Sequence, residues 1–308
     1  MSLRDWFWVV LLGTIWGTSF LFNAILIREL GPFWVSALRV TIGAAGCWAV
    51  LVALRRPLPR DPMIYGHFLV YGLICYAIPF ALFPLAQGHL AAGVAAIINA
   101  MTPIMTVLVS QLWKGGERAT PQKTAGVIAG FAGVAILAAP ALAGGGSSQL
   151  WAILTCLAAT LCYAVSLNYA RIFRGIEAST VAALSLTGAA IGAVSAALVF
   201  EGLPEIERAE TWGAAFGIGL IATTFAYQVM YRILPRIGAT NFTSVTFIAP
   251  VSAVILGIAF LGEHVEPSHI AGMVGIFLGL LLLDGRLWRR LTGGRRADRS
   301  GIPPATGP

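Results

Sequence analysis

Two segments of this sequence place a proline beside polar residues in the middle of otherwise apolar stretches. One is Asn99-Ala100-Met101-Thr102-Pro103; the other is Thr246-Phe247-Ile248-Ala249-Pro250. A proline inside a helix removes a backbone donor and deprives the carbonyl four residues earlier of its usual partner. Those carbonyls belong to Asn99 and Thr246. Open carbonyls beside the Asn99, Thr102 and Thr246 side chains suit hydrogen bonding to a polar solute, and Pro79, Pro103 and Pro250 are the helix kinks that would open the backbone. The competing use is packing, because proline is frequent in membrane helices.

Aromatic and polar side chains recur near these segments. Trp16, Tyr76, Phe80, Tyr163 and Tyr227 fall within apolar runs and could line a pocket or present ring faces to a cation. Ser19, Asn23 and Asn168 supply polar lining, with helix-to-helix hydrogen bonding as the alternative. Arg39 is the one Lys or Arg well inside an apolar run. A charge at the bilayer centre costs about 2.5–3.5 kcal/mol on insertion scales, so Arg39 needs a partner or a way out. It could hold a solute carboxylate, pair with Glu263 in a gate, or extend its head group to the interface.

Several chemistries find no footing. His67, His89, His264 and His269 lie near the ends of runs, and no Asp or Glu lies deep within one. The cysteines Cys47, Cys75, Cys156 and Cys162 show no metal-ligand spacing. No metal, no cofactor and no catalytic residues are therefore expected. Nor is a proton-carrying carboxylate, which points to solute movement down its own gradient or to a coupling too indirect for any one residue to reveal. Gly217-Ile218-Gly219-Leu220-Ile221-Ala222 matches a dinucleotide fingerprint in form only, since no strand precedes it.

The elements that must position these residues are legible from composition. The chain has 308 residues, of which 58% are hydrophobic and only 11% charged. Soluble domains carry about 25% charged residues, so soluble, disordered and fibrous classes are excluded. Ten apolar runs are long enough for a helix to cross a bilayer: 6–27, 32–54, 64–86, 91–113, 122–141, 149–172, 178–200, 211–234, 239–262 and 268–288. Their continuity argues for helices rather than barrel strands. All 20 lysines and arginines except Arg28, Arg39 and Arg208 fall on one side of the resulting topology. The positive-inside rule then places both termini in the cytoplasm, in a bacterial inner membrane. The formal charge of +7 answers to lipid headgroups rather than nucleic acid.

The second half echoes the first. Pro250 repeats Pro103, and Tyr163 and Ser166 repeat Trp16 and Ser19, at an offset of 147 residues. Glu263, Pro267 and Gly272 repeat Glu117, Pro121 and Gly126, one residue out of step. Five runs per half is an odd number, so the halves must enter the membrane with opposite polarity. The expected fold is all-α and integral to the membrane, with ten transmembrane helices in two inverted five-helix repeats. Residues 6–141 form the first repeat, 142–148 a Gly/Ser linker, 149–290 the second repeat and 291–308 a disordered basic tail. Inverted repeats of this kind imply alternating access around a site near the midplane.

Trp16-Gly17-Thr18-Ser19-Phe20, Ala37-Leu38-Arg39, the paired Pro103 and Pro250 segments and the Glu-x-x-x-Pro closings resemble the drug/metabolite transporter superfamily, in its EamA-type ten-helix exporters. Within it the amino-acid exporters, including the YddG branch, are the nearest in kind. The resemblance spans residues 6–290. It implies export of amino acids, aromatic and other neutral ones included, with drugs or other small metabolites as the alternative cargo. A membrane enzyme or receptor is the more distant alternative. The implied partners are a small-molecule substrate and membrane lipid. A monomer suffices, and dimerisation through the small-residue faces of the fifth and tenth runs is the other possibility.

Overall fold

The computed structural model describes residues 1–113 and 120–284, and all regular structure among them is helical. Ten helices follow one another: α1 (Leu3–Leu26), α2 (Pro32–Ala53), α3 (Met63–Gln87), α4 (Ala92–Leu112), α5 (Pro121–Ala143), α6 (Ser147–Phe173), α7 (Ala178–Phe200), α8 (Ala209–Ile237), α9 (Val245–Leu261) and α10 (Pro267–Asp284). Nine are long and apolar enough to cross a membrane, and α9 is shorter. The chain is a multi-pass membrane protein. Glu117 and the basic 291–308 tail lie outside the described residues.

The run over 239–262 is divided. A single turn, Ala239–Phe242, precedes α9, and the helix resumes at Val245. Short polar side chains flank the interruption and bond to nearby backbone. Asn241 Nδ2 donates to the Ile237 carbonyl at 2.8 Å and Thr246 Oγ1 to the Thr243 carbonyl at 2.6 Å. The connection between α5 and α6 is tighter than the 142–148 linker: only Gly144, Gly145 and Gly146 separate the two helices. Gly145 takes φ +68°, a left-handed conformation that costs glycine little.

The prolines are not used alike. Helix α4 breaks at Ala100-Met101, so Pro103 lies in the first turn of its second segment, where a missing N–H costs nothing. Helix α9 runs unbroken through Pro250. In α3 the turn widens to a π-helix over Leu73–Ala77, just before Pro79. A wider turn gives the proline ring room against the preceding carbonyls. A matching π-helical stretch, Gly217–Phe225, occurs in α8 without a proline. There the Thr223 and Thr224 hydroxyls donate to the carbonyls of Ile218 and Gly219, five residues back, at 2.9 and 3.1 Å.

Small residues let the helices approach backbone to backbone, as membrane packing favours. The most extensive pairing joins α5 and α10, followed by α2 with α7, α1 with α9, α3 with α7, and α6 with α3 and α4. Gly126 faces Gly279, and Gly133 faces Gly272 and Gly275. The small-residue faces of the fifth and tenth helices are thus joined within one chain, where dimerisation had been their alternative use. Gly13 and Gly17 of α1 fit against Ile248, Ala249 and Ser252 of α9.

The α5–α10 seam makes a direct prediction. A Cβ at Gly133 would lie 2.6 Å from the Ile276 nitrogen and 2.7 Å from the Gly272 oxygen, backbone atoms that cannot swing aside. Gly133→Val should destabilise the protein by about 1–3 kcal/mol and lower its melting temperature in detergent. Gly66 has nothing within 4 Å of such a Cβ, so Gly66→Ala should leave the melting temperature unchanged or raise it.

Candidate functional site

Helix α2 carries Arg39 into the bundle, where the residue is only 8% exposed. Its head group does not reach the interface. Arg39 Nε donates to Thr223 Oγ1 at 3.2 Å and Nη2 to Ser19 Oγ at 3.4 Å. The guanidinium carbon lies 3.6 Å from the centre of the Phe80 ring, a cation–π contact. Tyr163 and Tyr227 pack against the cluster that holds Phe80 and Tyr76. No carboxylate forms an ion pair with it among the described residues. A guanidinium has five N–H donors in a planar fork. Two are engaged by Thr223 and Ser19, which leaves three for something else.

Aromatic rings extend the site along the helices. Tyr76 contacts Phe80 and Tyr227, both at 5.8 Å between ring centres, and Tyr71 at 6.1 Å. Tyr227 continues to Tyr231 at 6.2 Å. Tyr71 stacks with Tyr169 at 6.4 Å, and the Tyr169 hydroxyl lies 2.7 Å from His67 Nδ1. Tyr163 stacks on Phe83 at 6.1 Å, and Phe83 meets Phe20 edge to face at 5.5 Å.

The structure thus gathers Ser19, Arg39, Tyr76, Phe80, Tyr163 and Tyr227 around one buried cation. Asn23 lies one turn beyond Ser19 on α1. Other residues singled out by sequence lie elsewhere or bond locally. Trp16 packs edge-on against Phe242 at 6.1 Å. Asn168 Nδ2 donates to Ala164 within its own helix at 3.1 Å. The Thr246 hydroxyl bonds Thr243, as described above. The Asn99 carbonyl is not open, because the Thr102 hydroxyl donates to it at 2.8 Å. What Asn99 leaves without a partner is its side-chain Oδ1, which is buried.

Arg39 and Glu263 do not pair. The Glu263 carboxylate caps the start of α4, accepting from the backbone N–H groups of Ala92 and Gly93, the latter at 3.1 Å. A carboxylate is stabilised there by the unpaired amides and the positive end of the helix dipole. Glu201, just beyond α7, does the same for α2, accepting from Phe33 and Trp34, both at 2.9 Å. Glu29, after α1, accepts from the Thr211 hydroxyl at the start of α8 and pairs with Arg208 at 3.5 Å. All three ties lie at one end of the bundle, and each joins the first half of the chain to the second. At the other end the ties between halves include Asp5–Arg236 at 2.6 Å, Glu177–Arg56 at 3.8 Å, and hydrogen bonds from Gln122 to the Leu282 carbonyl and from Thr180 to the Pro57 carbonyl.

Thr223, Gln87, Glu29 and Glu201 escaped the sequence reading. Thr223 had a visible signal, as a paired threonine in an apolar run. The carboxylates did not, because nothing local to a glutamate indicates which distant helix it will cap.

Fold and site together define a polytopic membrane bundle with a polar centre. The chain belongs to the EamA-like transporter family, whose model matches it twice, over residues 5–139 and 150–283. It is therefore a membrane transporter of that family. Its similar proteins include a probable terminal-alkyne amino-acid exporter of Streptantibioticus cattleyicolor, 24% identical over 97% of this chain and 98% of that one. A transporter of Bacillus subtilis, YvbV, is 26% identical over 88% of each. One solved structure superimposes with a TM-score of 0.65 at 22% identity, covering 95% of this chain and 100% of its own, which speaks to the fold.

The helix-end carboxylates carry a second prediction. Glu201→Ala would strip two amide donors of a charged acceptor, a loss of about 1.5–3 kcal/mol per such bond at most. The melting temperature in detergent should fall, and Glu201→Gln, which keeps one acceptor oxygen, should recover part of the loss.

Proposed function

We propose that this transporter exports amino acids across the bacterial inner membrane by alternating access between two inverted five-helix halves, residues 6–141 and 149–290. The observation that carries the cargo assignment is Arg39: a buried guanidinium with three open donors and no carboxylate partner among the described residues. A planar fork of this kind recognises a carboxylate in two-point fashion. The rings of Tyr76, Phe80, Tyr163 and Tyr227 offer apolar contact to the rest of such a solute. Asn99, with its unpartnered Oδ1, and Thr102 add polar lining near the break in α4. A relative described as a probable amino-acid exporter fits the same reading.

The helix pairing supports two related halves. Exchanging α1 with α6, α2 with α7, α3 with α8, α4 with α9 and α5 with α10 turns α1–α9 into α6–α4, and α2–α8 into α7–α3. It leaves α2–α7, α4–α9 and α5–α10 as they are, and every one of these pairs is in contact. The distribution of lysine and arginine supports cytoplasmic termini. In that orientation Glu29, Glu201 and Glu263 tie the halves at the outer face, so opening outward requires those ties to part. A solute shifts such an equilibrium only by binding one state more tightly than the other. With no carboxylate or histidine at the Arg39 site, movement follows the solute gradient.

Counterflow of labelled amino acids in proteoliposomes tests this. Arg39→Gln should reduce uptake roughly 10- to 100-fold, the loss of one charged hydrogen-bonded contact. Arg39→Lys should restore only part of it, since an ammonium has no planar fork. Uptake should persist when a protonophore is added. Unchanged transport by Arg39→Gln would refute the carboxylate anchor. A panel in which only cations or neutral drugs moved would replace amino-acid export with drug export.

A further inference from the structure

One turn beyond Ser19 on the same face of α1, Asn23 is 2% exposed and joins a chain of side-chain amides. Gln87 Nε2 donates to the Phe20 carbonyl at 2.8 Å, and Asn23 Nδ2 donates to Gln87 Oε1 at 3.0 Å. Asn23 Oδ1 has no partner. The direction of this chain is dictated by its first member. A backbone carbonyl can only accept, so Gln87 must turn its NH₂ toward Phe20 and its oxygen toward Asn23. Asn23 must then turn its NH₂ toward Gln87, which leaves an oxygen, not a nitrogen, at the open end. Flipping either amide would set like against like. The vacant valence is an acceptor, and burying it unpaired costs about 1–3 kcal/mol.

We infer that Asn23 Oδ1 is the acceptor for the ammonium group of the solute whose carboxylate Arg39 takes, so that the cargo is an α-amino acid. This inference rests on the carrier reading above and narrows it. Ser19, which Arg39 touches, and Asn23 are four residues apart, about 6 Å along the helix axis. That short spacing suits a cation and an anion borne on a single carbon; charges at opposite ends of a longer chain overshoot it. The facing helix α3 has the same order: Phe80 beneath the guanidinium, Gln87 beside Asn23, and Phe83 between them on one face. Phe83 packs against Phe20 and Tyr163, an apolar surface at the height where the solute's side chain would emerge. Gln87 is a positioning residue, since it aims the Asn23 oxygen without meeting the solute.

Binding to the purified protein tests the assignment, with phenylalanine, 3-phenylpropanoate, phenyllactate and 6-aminohexanoate as probes, and leucine with 4-methylpentanoate as a second pair. The wild type should bind each amino acid about tenfold or more above its deaminated counterpart, as expected for one hydrogen bond to a charged group. It should also favour phenylalanine over 6-aminohexanoate. Asn23→Leu should bring phenylalanine down to the affinity of 3-phenylpropanoate while leaving the latter unchanged, so the deaminated probe doubles as a check of folding. If Asn23→Leu does not fold, Asn23→Ala carries the same comparison. Gln87→Leu should lower the amino-to-deaminated ratio without weakening 3-phenylpropanoate, which loss of packing alone would not do. Equal binding of phenylalanine and 3-phenylpropanoate, or of phenylalanine and phenyllactate, by the wild type would overturn the ammonium assignment and leave the Arg39 anchor standing. So would parallel loss of both probes in a folded Asn23 variant. Failure of the wild type to bind any carboxylate would instead overturn the Arg39 anchor and the amino-acid cargo, and this inference with them.

Discussion

A guanidinium held inside a membrane bundle, with no carboxylate partner among the described residues, is the constraint around which this molecule is arranged. Arg39 cannot leave its charge in hydrocarbon, and it does not reach the interface. The protein meets the need in part, with a ring face from Phe80 and hydroxyls from Ser19 and Thr223. These groups orient the fork without neutralising it. Four helices are committed to this one charge: α2 carries it, α1 and α8 bond it, and α3 supplies the ring. The π-helical stretch of α8 contains the residue, Thr223, that meets it, and that stretch is sustained by the threonine hydroxyls themselves.

Around this centre, the backbone packing and the helix-end contacts differ in kind. The α5–α10 seam brings glycine backbone against glycine backbone, with Leu137 and Leu283 alongside, a close approach that small residues allow. The ties made by Glu29, Glu201 and Glu263 are single carboxylates on helix-end amides, one hydroxyl and a guanidinium, placed at the end of the bundle rather than in its core. Such contacts form and break at modest cost, because water replaces the lost partners. The bundle thus combines a close-packed seam along its length with polar clasps at its end.

Much of this was legible in the order of the residues. Apolar runs of membrane length, polar punctuation and the one-sided distribution of lysine and arginine defined the helices and their number, because each depends only on local composition and on the chain's passage through a bilayer. Arg39 stood out for the same reason, as a charge where none is easily placed. So did Tyr76, Phe80, Tyr163 and Tyr227, as aromatic residues well inside their runs, although only the packing of the helices brings them together. The sequence also suggested that Pro103 and Pro250 act as equals. The structure separates them: Pro103 lies at a helix start, where it costs nothing, while the interruption ahead of α9 lies upstream of Pro250.

What tertiary structure alone decided is the identity of partners. Glu263 was visible as a charge at the end of a run, but its claim on the first amides of α4 depends on how α9 and α4 lie together. Thr223 and Gln87 gain their roles from neighbours on other helices, 184 and 64 positions away in sequence. The free oxygen of Asn23 exists only because Phe20 and Gln87 fix the direction of an amide chain. Local chemistry determines where a helix can lie and which residues are costly there. Only the meeting of helices determines which donors and acceptors cancel and which are left over.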